Sequence, residues 1–308
     1  MSEKAEEWQV ARRRKGTPRR SKAPQVSLTP QHQGCCQDEF NTNKTILRIR
    51  ETMSELRCED FWLDWKKRLL SRSATAAAPS PDGGAPELPV DQQEEGSVGT
   101  TAPGLECVCY GLGSFSSCVS ARYQLAMMLL LLEALEIPPR LCWVFDPVFS
   151  AGEKEVLREL DLSVLTENEE GKRLTKRPTI FYLMHCGKAL YNNLLWRNWE
   201  RETLPLLTII GNSFSGIQER TVERELRRDY LFLHQAVALC EERPLPCPPR
   251  LLDVFNDTAL ITFPPGRLSQ LPQCTWAEAA EPRYEHCPDL EIIRREEEEE
   301  ELRRRRRS

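Results

Sequence analysis

The chain has 308 residues, of which 40% are hydrophobic and 29% are charged, a composition typical of globular proteins with one or two domains. The formal net charge of −5 argues against a surface that is basic throughout, so we do not expect nucleic acid to be the main partner. The most apolar stretch, residues 123–132, has ten residues, whereas a membrane-spanning helix needs ~20. We therefore expect no membrane segment.

The N-terminal part of the chain is predicted to hold one helix between two unstructured segments. Residues 1–43 are rich in Arg, Lys, Pro, Gln and Ser and lack apolar periodicity, which predicts a disordered basic arm. Residues 44–70 place apolar side chains from Ile46 to Leu63 at helical spacing, which predicts an amphipathic helix. Residues 71–104 are rich in Pro, Gly, Ser and Asp, which predicts a flexible linker.

Charge and cysteine usage give a first indication of the compartment. The first 22 residues carry a net charge of +5, typical of a nuclear-import or polyanion-binding segment and equally of a solvated tail. The chain opens on polar residues without the apolar segment of a secretory signal, and its twelve cysteines include no Cys-x-x-Cys pair. These features favour reduced thiols, so we expect a cytoplasmic protein that also reaches the nucleus.

The region 105–290 is predicted to form an α/β domain, because short apolar runs alternate there with helical patterns. Runs that are apolar on both faces are typical of parallel strands covered by helices on each side. We therefore expect a Rossmann-like, three-layer α/β/α fold with a mostly parallel sheet. The main predicted strands are Glu106–Tyr110, Leu141–Phe145, Ser163–Leu165, Thr179–Met184, Leu206–Ile210 and Ala259–Phe263, and the predicted helices are Ser117–Glu136, Glu153–Leu160, Lys188–Trp199 and Glu219–Cys240. Residues 291–308, a Glu run followed by an Arg run, predict a charged low-complexity tail.

Small and polar residues follow several of these strands, where ligands bind in open parallel sheets. Gly111 and Gly113 would let backbone amides approach a ligand, and Ser114 comes next to them. Asp146, at the end of the second strand, could accept hydrogen bonds from ribose hydroxyls. These residues predict a nucleotide-like or S-adenosylmethionine pocket. A tight turn without a ligand explains the same glycines, because Ser116 replaces the third glycine of the dinucleotide motif.

Two further turns give candidate ligand contacts that have equally good structural explanations. His185 ends the fourth strand and either lines the pocket or shapes a turn. Gly211, Asn212 and Ser213 end the fifth strand and form either a ligand-contacting loop or a turn with a helix cap.

Two Cys-Pro dipeptides, at Cys247 and Cys287, make haem a candidate ligand, because a cysteine thiolate can ligate haem iron. With twelve cysteines and 22 prolines, composition alone predicts about one such dipeptide, so chance explains them better. No residues have the spacing of a metal site, and the cofactor stays unknown.

The motifs at the strand ends, taken in order, resemble the Sensitivity to Red Light Reduced (SRR-like) family. The family pattern usually has proline at the position of Met184 and tends to have glycine at that of Asp161. The matching motifs are Tyr110-Gly-Leu-Gly-Ser-Phe-Ser, Phe145-Asp-Pro-Val-Phe-Ser, Asn168-Glu, His185-Cys, Leu190-Tyr-Asn-Asn-Leu-Leu-Trp-Arg-Asn-Trp and Ile210-Gly-Asn-Ser-Phe-Ser.

This resemblance implies a regulatory protein that acts in circadian rhythm, on core clock gene expression, and in the regulation of haem biosynthesis. The family brings no established reaction, so no catalytic residue is assigned, and the resemblance does not identify protein partners. An alternative is a nucleotide- or S-adenosylmethionine-dependent transferase that uses the strand-end pocket. A third hypothesis is nucleic-acid binding through the basic arm, which the acidic body of the protein makes the weakest.

Overall fold

A computed structural model describes residues 40–76, 104–276, 280–285, 287, 290 and 292–294. The basic arm, the linker and the charged tail predicted from the sequence lie mainly outside these residues. The described residues belong to one compact unit that begins at Phe40.

The core of the fold is a seven-stranded sheet of order β3-β2-β1-β4-β5-β7-β6. Neighbouring strands from β3 to β5 pair in parallel, whereas β7 is antiparallel to both β5 and β6. The mostly parallel sheet of the predicted three-layer α/β fold is therefore confirmed. The strands are β1 (Glu106–Tyr110), β2 (Cys142–Phe145), β3 (Ser163–Val164), β4 (Thr179–Leu183), β5 (Leu207–Asn212), β6 (Glu241–Pro244) and β7 (Thr258–Thr262).

Helices cover both faces of the sheet. Side chains of successive strand residues point to opposite faces, so each strand contributes apolar residues to both sides. Along β1, Cys107 and Cys109 face one apolar cluster, while Val108 and Tyr110 face the other. The α-helices are α1 (Thr42–Arg57), α2 (Asp60–Ala76), α3 (Val119–Ala134), α4 (Ala151–Glu159), α5 (Lys188–Arg197), α6 (Phe214–Arg220), α7 (Glu223–Asp229), α8 (Leu231–Leu239), α9 (Leu252–Phe255) and α10 (Pro265–Leu268).

The N-terminal helices are part of the domain core. In place of one helix over 44–70, the chain forms α1 and α2, and α2 extends to Ala76, inside the predicted linker. Trp65 of α2 is fully buried, and its indole nitrogen donates to the carbonyl of Pro246 at 2.8 Å. Its ring lies 5.6 Å from that of Phe255 in an edge-on arrangement. Helices α1 and α2 therefore complete the layer that covers α3 and α9.

The prediction of one long helix over Glu219–Cys240 is wrong. Three short helices, α6 to α8, replace most of it. Val222, which would lie inside the predicted helix, is the N-cap residue of α7 and is 70% exposed. Tyr230 has φ −131°, outside the helical range, and its buried side chain fixes the break between α7 and α8.

Candidate functional site

The parallel register brings the carboxyl ends of β1 to β5 to one edge of the sheet. A cavity of about 240 Å³, which we call the strand-end pocket, opens there next to the ends of β1, β2 and β4. The strand order reverses between β1 and β4, and such a reversal is where open α/β sheets bind ligands. Gly111, Asp146 and His185 line the pocket, whereas Gly113, Ser114, Gly211, Asn212 and Ser213 do not.

The loop after β1 already holds an anion, the carboxylate of Glu153. Ser114 Oγ donates to Glu153 Oε1 at 2.8 Å, and the amide and hydroxyl of Ser116 donate to the same oxygen at 2.9 Å each. The second oxygen accepts from the amide of Ser150 at 2.9 Å, completing a capping box at the start of α4. Burial would raise the pKa of Glu153, but these hydrogen bonds outweigh it and lower the pKa. The hydroxyl of Ser114, one of the predicted ligand contacts, therefore donates to an internal carboxylate.

Asp146 connects the pocket to the glycine turn. Its two carboxylate oxygens accept from the amides of Gly113, at 2.7 Å, and Val148, at 2.9 Å. Burial raises the pKa of Asp146, although these two amides oppose the shift. A carboxylate lining the pocket keeps lone pairs for ligand hydroxyls even with one amide on each oxygen.

The loop after β5 repeats the arrangement found after β1. Both loops contain Ser-Phe-Ser, and here Ser213 and Ser215 donate to the carboxylate of Glu242 from β6. The amide of Ser215 also donates to Glu242, at 3.1 Å, as the amide of Ser116 does to Glu153. Each Ser-Phe-Ser loop thus binds a glutamate from a distant part of the chain. We call the two arrangements carboxylate clasps.

Close packing accounts for two of the candidate glycines. A Cβ at Gly111, where φ is +67°, would lie 2.7 Å from Cys186 Sγ. A Cβ at Gly211 would lie 2.5 Å from the Leu183 carbonyl and from the Tyr191 hydroxyl. Both positions therefore require glycine whether or not a ligand binds.

The turn after β4 lies between the loops that follow β1 and β5. His185 is exposed at φ +53°, a left-handed conformation that is uncommon outside glycine. Cys186 Sγ lies 3.4 Å from the Tyr110 carbonyl, and Asn212 Nδ2 donates to the Cys186 carbonyl at 3.4 Å. This turn therefore presents the imidazole at the pocket rim and connects the two flanking loops.

Among the described residues, no group of three or more His, Cys, Asp or Glu side chains could hold a metal ion. Within the same residues, no helix is long and apolar enough to cross a membrane.

Comparison with known proteins decides the family. The SRR1 domain model matches residues 93–262, more than half of the chain. The chain belongs to the SRR1 domain family. An SRR1-like protein of Mus musculus is 43% identical over 205 residues, which cover 63% of this chain and 81% of the mouse protein. No solved structure shows a significant match.

Two more distant SRR1 relatives match over shorter segments. An SRR1-like protein of Drosophila melanogaster is 40% identical over 157 residues, which are 51% of this chain and 54% of the fly protein. Protein SENSITIVITY TO RED LIGHT REDUCED 1 of Arabidopsis thaliana is 40% identical over 116 residues, which are 38% of this chain and 42% of the plant protein. The matched segments therefore span about half or less of these two relatives.

The two Cys-Pro cysteines lie on opposite faces of the SRR1 domain sheet. Cys247 packs against the cluster that contains α1 to α4, and Cys287 packs against the cluster around α5 to α8. Burial raises the pKa of both thiols, which favours the thiol over the iron-binding thiolate. The two cysteines share no site.

Several residues of the SRR1 domain site were not among the sequence candidates. Glu153 could have been found from the Ser-x-x-Glu capping box that begins at Ser150. Cys186 and Asn168 line the pocket and occur in the family motifs, although neither was assigned as a ligand contact. Ile292 and Ile293 also line it and carried no sequence signal.

Proposed function

We propose that this protein is a regulator that acts on core clock gene expression and on haem biosynthesis, in the cytoplasm and the nucleus, through its strand-end pocket. The family assignment supports a regulatory role, as the resemblance implied. The observation that carries the proposal further is that motif residues Gly111, Asn168 and His185 line one pocket. A shared pocket is where a regulator of this type would meet its effector or partner.

A glycine substitution at the pocket rim tests this role without changing the backbone conformation. In cells that lack the endogenous protein, His185→Gly should fail to restore haem content and the amplitude of a clock-gene reporter rhythm. Glycine suits the φ of +53°, so the loss would come from the imidazole and not from misfolding.

Asp161→Gly is the matched control, because Asp161 is also exposed, has φ +60° and does not line the pocket. This control should restore both readouts to the level of the unchanged protein. Full rescue by His185→Gly would contradict a role for the pocket rim. Unchanged haem and rhythms in cells without the protein would contradict the regulatory role itself.

A second candidate function, an S-adenosylmethionine-dependent transferase, is favoured by the sheet order. The strand order reverses between β1 and β4, next to the pocket, and open α/β sheets bind ligands at such a reversal. Asp146 lines the pocket at the end of β2, where it could bind ribose hydroxyls. Because Glu153 takes the hydroxyl and amide donors of the β1 loop, a ligand without phosphate fits this site better than a nucleotide.

Thermal unfolding tests this candidate directly. S-adenosylmethionine at a hundredfold excess over its Kd should stabilise the protein by about 2.7 kcal/mol. Asp146→Asn should reduce the stabilisation, and ATP and NAD should give none. No shift in Tm with any of the three compounds would remove the transferase.

A further inference from the structure

A C-terminal segment of the described chain forms part of the pocket wall. Ile292 and Ile293 line the pocket, and Ile292 packs against the cluster around α5 to α8. The carbonyl of Ile293 accepts a hydrogen bond from Asn168 Nδ2 at 2.8 Å. Asn168 Oδ1 accepts from the amide of Glu170 at 2.9 Å, which fixes the orientation of the Asn168 amide. The pocket rim thus holds a piece of polypeptide through its main chain.

The anchor of this segment lies upstream of the pocket. Tyr284 is buried, donates to Asn193 Oδ1 at 2.7 Å and accepts from Asn192 Nδ2 at 3.0 Å, which attaches it to α5. Ile293, in contrast, is 45% exposed. The contacts that hold Tyr284 are therefore separate from those that residues 292–294 make at the pocket.

A larger depression of about 1020 Å³ adjoins the pocket and shares Asn168, Glu170 and Ile292 with it. Four further glutamates, Glu167, Glu169, Glu281 and Glu285, line this depression together with the basic side chains of Lys172 and Arg283, so acidic groups are in excess there. Arg294, the residue that follows the two isoleucines, also lines it. The segment therefore combines branched apolar side chains at the pocket with a basic side chain in acidic surroundings.

We propose that the pocket and the depression together form a peptide-binding site that the chain's own residues 292–294 close. A partner peptide with two adjacent branched apolar residues followed by arginine binds there in their place. This inference rests on the proposed function and names the class of partner. A peptide is favoured because a backbone carbonyl already meets Asn168, a contact that any peptide can reproduce.

Alkylation of Cys186 tests whether the segment closes the pocket. In the full-length chain, Ile292→Asp with Ile293→Asp should speed reaction of Cys186 with iodoacetamide about tenfold, because Cys186 lines the same pocket as the two isoleucines. Peptide mass spectrometry separates Cys186 from the exposed Cys118, whose rate should not change. Val222→Asp with Leu231→Asp adds the same charge at two other exposed positions and should leave both rates unchanged. An unchanged Cys186 rate in the first variant would overturn the closure.

Fluorescence anisotropy with a synthetic peptide tests the occupant. A labelled peptide with the sequence of residues 290–295 should bind the Ile292→Asp, Ile293→Asp chain at least about tenfold more tightly than the unchanged chain, whose own segment competes. Replacing both peptide isoleucines with aspartate should abolish binding, and Asn168→Ala in the protein should weaken it.

Absence of peptide binding to the opened chain would overturn the proposal, provided that its circular dichroism is unchanged. Equal binding of the aspartate peptide would overturn it as well. If the opened chain bound S-adenosylmethionine and not the peptide, the transferase would stand in its place. Because these assays involve neither haem nor the clock, they can fail or succeed independently of the regulatory role.

Discussion

At the residue scale, Glu153 has the place that a bound anion has in phosphate-binding loops. Glu153 is 1% exposed, and its carboxylate accepts hydrogen bonds from Ser114, Ser116 and Ser150. Charge-assisted hydrogen bonds to a buried carboxylate are among the stronger ones. We therefore expect Glu153→Gln to lower the free energy of unfolding by about 2–3 kcal/mol, measured by urea denaturation at pH 7. Glu155→Gln, on the exposed side of the same helix, should change it by less than about 0.5 kcal/mol.

The pH dependence of this difference follows from the sign of the pKa shift. The pKa of Glu153 is lowered in the folded protein, so the carboxylate stabilises the fold above the unfolded pKa of about 4.3. That contribution is lost as the pH falls through the lower, folded pKa. The stability gap between the unchanged protein and Glu153→Gln should therefore shrink in acid. A gap of the same size at pH 7 and in acid would contradict the clasp as a charged interaction.

Asp161, an exposed residue in a left-handed conformation, gives a second residue-scale prediction. Asp161 has φ +60° just after α4, where helices commonly end on glycine. The family pattern tends to have glycine at this position, which agrees with the conformation. Asp161→Gly should raise the free energy of unfolding by about 0.5–1 kcal/mol, because glycine adopts this φ without steric cost. Urea midpoints measure the change, and a loss of stability would show that the Asp161 side chain contributes more than its conformation costs.

At the scale of elements, Asn192 of α5 caps the neighbouring helix α8. Its Oδ1 accepts from the amides of Phe232 and Leu233 at 3.0 and 3.1 Å, and its Nδ2 donates to the Tyr284 hydroxyl. Asn192→Ala would leave two buried amides without this acceptor and should cost about 2–4 kcal/mol of folding stability. Asn256→Ala, at an exposed position, is the control and should change stability by less than about 0.5 kcal/mol. A small effect of Asn192→Ala would mean that water replaces the cap.

Strands that carry apolar residues on both faces could be predicted from the sequence, and the edge strand could not. Runs such as Thr179–Leu183 are buried throughout, so their composition alone reveals them. Strand β6, Glu-Glu-Arg-Pro, lies at the sheet edge, where polar residues and proline are tolerated. The reversed direction of β7 depends on its pairing with β5, which no local pattern encodes.

For the candidate site, the sequence predicts the position of the pocket but not all of the residues that form it. Parallel strands bring their loops to one edge, so the pocket next to Gly111, Asp146 and His185 follows from the order of the motifs. Long-range partners do not follow from it. The glutamate of the second clasp, Glu242, comes 27 residues after Ser215, in a strand whose polar sequence resembles a loop. Ile292 and Ile293, which line the pocket from the C-terminal part of the chain, belong to no motif.

At the scale of the whole molecule, the domain depends on helices that precede the residues matched by the family model. Trp65 of α2 is fully buried, contacts Phe255 of α9 and donates a hydrogen bond to Pro246. If α1 and α2 belong to one cooperative unit, Trp65→Ala should lower the free energy of unfolding of the entire chain by about 3–5 kcal/mol. Circular dichroism and tryptophan fluorescence should then give a single, coincident urea transition in both proteins.

Leu63→Ala, a change in the same helix at a position that is 59% exposed, should shift stability by less than about 0.5 kcal/mol. Two separate transitions, with only the first affected by Trp65→Ala, would show that α1 and α2 unfold independently of the sheet. Such a result would also require α1 and α2 to separate from α3 and α9 while the rest of the domain stays folded. Trp65 of α2 and Leu125 of α3 are both completely buried in one apolar cluster. Separation of the helices would expose these side chains to water, which argues against independent unfolding.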